Sequence, residues 1–189
     1  MNINGATINA DVAALCEVSG TKAALADINP YCFSEPIAPH LAARHESVTV
    51  EMQVIEAAFK RLKADADTVL VEGAGGFLVP LSMHQSMAEI PAALGLDVIL
   101  VVDMRLGVLN HTLLTVEAIH SRGLTLAGWV ANTAKAGAAM LAFDENHATL
   151  ERLIAAPLLG TVPHDARLQS PAERALRASH HLRMDSLLR

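Results

Sequence analysis

The chain is poor in several residue types on which whole classes of function depend. Its two cysteines, Cys16 and Cys32, form no C-x-x-C pair and are too few for a disulfide framework, so both read as reduced thiols. Four Phe, one Tyr and one Trp leave little for base stacking. A net charge of −6 and a pI near 5.8 offer no basic stripe, so neither nucleic acid nor a membrane surface is an expected partner. No apolar run reaches the length of a membrane span. The opening MNINGATINAD has neither a basic nor an apolar leader segment, so the cytoplasm is the expected compartment. The nine histidines are scattered, and His180–His181 has no second ligand at metal spacing, so no structural zinc site is expected.

What remains is the composition of a well-buried α/β domain. Hydrophobic residues make up 52% of the 189 positions and charged ones 18%. Helical signals occur at Ala10–Glu17, with Asn9 or Asp11 as cap, and at Val50–Ala64, where Met52, Ile55, Ala58, Phe59 and Leu62 share a face. Further helices are expected at Met87–Leu94, interrupted around Pro91, and at Leu109–Ser121, Leu141–Ile154 and Pro171–His181, the last capped by Ser170. Asn29–His40, with three prolines, reads as a loop. Strands are expected at Val69–Val71, Asp97–Asp103, Leu126–Asn132 and Pro157–Val162. This alternation predicts a doubly wound, mostly parallel sheet in one domain spanning residues 1–189.

Parallel sheets place their ligands at the carboxyl ends of the strands. Four such ends carry polar groups: Glu72, Asp103, Asn132 and the Pro163–His164–Asp165 turn. In TVLVEGAGGFLVPL, Thr68–Leu81, an apolar run ends in Glu72 and then in Gly73, Ala74, Gly75 and Gly76. A carboxylate there suits a hydrated Mg²⁺, and the glycines let backbone N–H groups approach an anion; a solvent-facing Glu on a tight turn is the competing reading. The amide of Asn132 could read a purine or merely close a strand. Gly107 frees a turn ahead of a helix start suited to a carboxylate or phosphate, where Asn110 serves equally as cap or ligand contact.

Together VEGAGG followed by Pro80–Leu81, NPYCFSEPIAPH, VILVVDMRLGVLNHTLLT, LAGWVAN and APLLGTVP resemble ATP-dependent dethiobiotin synthetases over nearly the entire chain, from Asn9 to about Asp165. The GAGG string alone is shared with cobyric-acid-type amidotransferases, whose glutaminase nucleophile neither cysteine matches. The resemblance implies a P-loop NTPase-like α/β fold and a homodimer. It implies ureido ring closure on 7,8-diaminononanoate with CO₂ and Mg·ATP, through a carbamate and a carbamic-phosphoric anhydride. Asp11 and Glu72 match the Mg²⁺ carboxylates, and Asp11 with Glu72, Gly73, Ala74 and Gly75 would lie along the nucleotide phosphates. Asn132 and Thr133 match the adenine site, bordered by Pro163, His164 and Asp165. Leu106, Gly107 and Asn110 match the segment that receives the substrate carboxylate from the partner subunit.

In that family a strand, a G-x-x-x-x-G-K-[ST] loop, a helix and a lysine-bearing second strand precede the position of Asn9. No such loop occurs here, and none of the four lysines, Lys22, Lys60, Lys63 and Lys135, follows a glycine-rich turn. The expectation is a chain without the N-terminal strand and phosphate loop, with Met1 internal to a longer member, and with no catalytic lysine assigned. Its activity alone is then in question, and a non-catalytic nucleotide- or carboxylate-binding dimer module is the alternative, beside a cobyric-acid-type ligase fragment.

Overall fold

A computed structural model describes residues 2–3, 6–134, 140–168, 170–185 and 187, and the chain forms two compact units, Met1–Leu96 and Asp97–Arg189. Lys135 lies outside the described residues. Among the described residues no helix is long and apolar enough to cross a membrane.

The first unit opens with two short antiparallel strands, β1 (Asn2–Ile3) and β2 (Ala6–Thr7). Helix α1 (Ala10–Ser19) follows because the Asn9 side chain accepts from the Val12 N–H at 2.7 Å, and Gly20, at φ 62°, closes it. Asn9 is therefore the cap, and Asp11 sits exposed in the first turn. Helices α2 (Leu25–Ile28) and α3 (Pro39–His45) escape the sequence reading, which took Asn29–His40 as loop through its last residue. In α3 the proline stands in the first turn, where a missing N–H costs nothing. Helix α4 (Met52–Ala64) has the expected apolar stripe, and Arg61 ties it to α2 through Asp27 at 2.7 Å. Helix α5 (Glu89–Leu94) runs through Pro91 without interruption, again because the ring occupies the first turn. Ala43, Val50, Leu81 and Ile90 form this unit's core, flanked by Tyr31, Phe33, Ile55 and Met87.

The strand expected at Val69–Val71 does not form. These residues belong to no sheet among the described residues, and Leu70 is 79% exposed. Three consecutive apolar residues specify a strand only where a neighbour supplies hydrogen-bond partners.

The second unit is a parallel sheet of β3 (Val98–Asp103), β4 (Leu126–Asn132) and β5 (Leu158–Val162), in sequence order, joined by helices α6 (Val108–His120) and α7 (Phe143–Leu153). Trp129, Ile119, Leu150 and Leu159 are fully buried between sheet and helices. Helix α8 (Pro171–Ser179) begins at a capping box in which Ser170 and Glu173 exchange side-chain-to-backbone hydrogen bonds. After α8 the chain returns to the sheet: Leu182 bridges Gly160, and the Arg183 N–H donates to Leu159 O at 2.8 Å. Gly160 permits this, since a Cβ there would stand 2.0 Å from the His181 carbonyl oxygen.

Gly128 on β4 is held to glycine by packing, because a Cβ would lie 2.7 Å from Leu159 Cγ. Gly128→Ala is expected to destabilise the chain by about 1–3 kcal/mol through overpacking, read from denaturant midpoints.

Candidate functional site

Register builds the site. Asp103 pairs with Asn132 and Asn132 with Val162, so three carboxyl ends stand level. The ladder continues one residue further, with Met104 N–H donating to Asn132 O at 2.8 Å and Thr133 N–H to Val162 O at 3.0 Å. These bonds fix the backbone of Asn132 on both sides. Its side-chain amide, partly exposed, makes no hydrogen bond among the described residues. It lines a cleft of about 740 Å³ together with Thr133, Pro163, His164 and Asp165, so five of the residues picked from the sequence share one wall.

Helix α8 supplies another part of the lining, with Arg174, Ala175, Arg177 and Ala178. Sequence reading left this helix without a role. The usable signal was the spacing Arg174-x-x-Arg177, which places two cations on one helical face. Asp165 is already satisfied: Arg167 grips it through Nε at 2.9 Å, a terminal nitrogen at 2.7 Å and its backbone N–H at 3.1 Å. These bonds hold the Asp165 carboxyl well below the usual carboxylate range, with weaker help from the charge of Arg177.

The remaining sequence-picked residues stand elsewhere. Gly107 adopts φ 93° as the N-cap of α6, and the first turn of that helix receives no side-chain cap. Asn110 is exposed within the helix and is not its cap, and Leu106 is 89% exposed beside it. These three do not line the cleft. Asp103 pairs with Arg105 at 3.1 Å and lines a smaller recess of about 120 Å³. Asp11 and Glu72 belong to the first unit, where both are exposed and neither side chain makes an ion pair or hydrogen bond among the described residues. Gly75 takes φ 88°, the conformation for which its lack of a side chain suits it. The N–H groups of Gly73, Ala74 and Gly75 donate to no backbone carbonyl among the described residues. The four level strand ends expected from the sequence are thus three, because Glu72 follows no strand.

Comparison with known proteins decides the family. A model described as an AAA domain matches residues 3–172. An ATP-dependent dethiobiotin synthetase of Aromatoleum aromaticum is 53% identical over 164 residues, 87% of this chain and 72% of the relative. Those of Nitrosospira multiformis and Ralstonia nicotianae are each 46% identical, over 82% and 91% of this chain and 68% and 72% of their own lengths. The chain belongs to the dethiobiotin synthetase family. A dethiobiotin synthetase family member is a ligase of biotin biosynthesis with a P-loop NTPase-like α/β fold, and the parallel sheet agrees with that class. Membership also separates the chain from the cobyric-acid-type ligases that share its GAGG turn.

Removing the guanidinium in Arg167→Ala is expected to raise the Asp165 pKa towards its ordinary value of about 3.9, measured by NMR titration of the carboxyl carbon. The sign follows: a carboxyl lowered in the fold contributes stability above about pH 4, and loses it as pH falls through the folded-state value. The variant should therefore show a weaker loss of stability on acidification from pH 4 downwards than the parent.

Proposed function

We propose that the cleft at the ends of β4 and β5 binds the adenine end of ATP, and that the chain serves Mg·ATP-dependent ureido ring closure on 7,8-diaminononanoate with CO₂. The observation that carries this reading is the Asn132 amide, fixed at its backbone, unpartnered at its side chain and facing a cleft of about 740 Å³. An amide offers a donor and an acceptor at the spacing of an adenine edge, and leaving both unpaired disfavours other bases. Thr133 and the Pro163–Asp165 turn border the base.

The donor set of Asp11 and Glu72 fits magnesium, which takes one or two carboxylate oxygens and keeps waters and substrate phosphates for the rest. Bound there, magnesium would neutralise charge on the phosphates during transfer. Gly73, Ala74 and Gly75 offer backbone donors suited to phosphate oxygens. At the start of α6, uncapped N–H groups with Gly107 and Asn110 receive the carboxylate of the second substrate, contributed across a homodimer with Leu106 at the contact.

Phosphoryl transfer depends mainly on positioning and charge neutralisation, and a lysine of a G-x-x-x-x-G-K-[ST] loop is absent from these 189 residues. A second reading is a nucleotide-binding dimer module without turnover. Release of phosphate and dethiobiotin from Mg·ATP, bicarbonate and 7,8-diaminononanoate by the 189-residue chain supports the ligase reading, and binding without release supports the module.

Asn132→Ala is expected to weaken Mg·ATP binding about tenfold or more, measured calorimetrically, and to erase preference for ATP over GTP. Unchanged affinity and preference would remove the cleft from nucleotide recognition. Glu72→Gln and Asp11→Asn should each reduce the magnesium dependence of ATP binding while leaving adenosine binding intact.

A further inference from the structure

The lining of the β4–β5 cleft holds two arginines of helix α8, and they differ. Arg174 donates from Nε to Leu168 O at 3.4 Å. Arg177 is exposed, and its guanidinium makes no hydrogen bond or ion pair among the described residues. Nor is it needed to neutralise Asp165, which already receives three N–H groups from Arg167. The cleft lining also includes the small or apolar Ala134, Pro163, Ala166, Leu168, Ala175 and Ala178 beside its polar residues. The apolar part of these walls suits the faces of a flat heterocycle.

We propose that Arg177 is a base-recognition residue, its planar guanidinium covering the face of the purine whose edge meets Asn132. This rests on the reading of the cleft as the adenine site. Arginine is suited to the task because its charge is delocalised over a plane and weakly hydrated, so it stacks on an aromatic face at little desolvation cost. The capping box fixes the start of the helix that carries it, and the chain after that helix bridges to the sheet at Leu182–Gly160.

The test compares Arg177→Ala and Arg177→Lys with the parent chain, titrated with adenosine and with Mg·ATP. Alanine is the best helix former, so α8 should persist, and equal melting curves verify it. The expected result is an affinity loss of about three- to thirtyfold by alanine, by the same factor for both ligands, with lysine recovering only part of it. A loss with Mg·ATP but none with adenosine would place Arg177 on the phosphates and overturn the proposal. Parent-like affinity of the alanine variant for both would overturn it too. If the parent itself binds neither ligand, the adenine reading falls and this proposal with it, whereas the two preceding outcomes leave that reading intact.

Discussion

The site depends on the register of three parallel strands. Because Asp103, Asn132 and Val162 stand level, the turns that leave β4 and β5 open on the same side, and Asn132 is gripped through its backbone by both neighbours. A shift of one residue would exchange the two faces of β4 and take Trp129 from its buried seat. Packing therefore enforces the register, and the register aims the amide. Gly128 shares in this, since the close seat of Leu159 against it sets how β4 and β5 meet.

Around that frame several charges are paired. Asp165 is held by Arg167 and Asp103 by Arg105, while Asp27 and Arg61 fasten two helices of the other unit. Among the groups without a hydrogen-bond or ion-pair partner in the described residues are the Asn132 amide, the Arg177 guanidinium, the carboxylates of Asp11 and Glu72, and the N–H groups of Gly73–Gly75. Each is partly or fully exposed, so none costs the fold what a buried orphan would. They are the groups to which the proposed function assigns roles.

The strands of the second unit were legible because each is a β-branched or bulky apolar run bounded by turn residues. Leu126–Asn132 matches to the residue, and Asp103 and Val162 end their strands as read. The last helix was legible through Ser170 and Pro171, local signals that need no tertiary context. Val69–Val71 has the same apolar character yet stays irregular, since a strand is a property of a pair and three residues cannot announce a partner. Short α2 and α3 were missed because prolines around them obscure the period. Of the cleft, the sequence showed the strand-end wall, where polar residues follow apolar runs. It did not show the α8 side, because that Arg174 and Arg177 share the lining with residues of β4 and the turn after β5 is a tertiary fact that no local signal announces.

The central claim, that the aligned ends of β4 and β5 form an adenine site, is tested most directly by crystallising the 189-residue chain with magnesium and a non-hydrolysable ATP analogue. The account predicts the purine in the cleft, its edge within hydrogen-bond distance of the Asn132 amide and its ring beside Pro163. A purine bound anywhere else, with the Asn132 side chain still facing solvent, would contradict it.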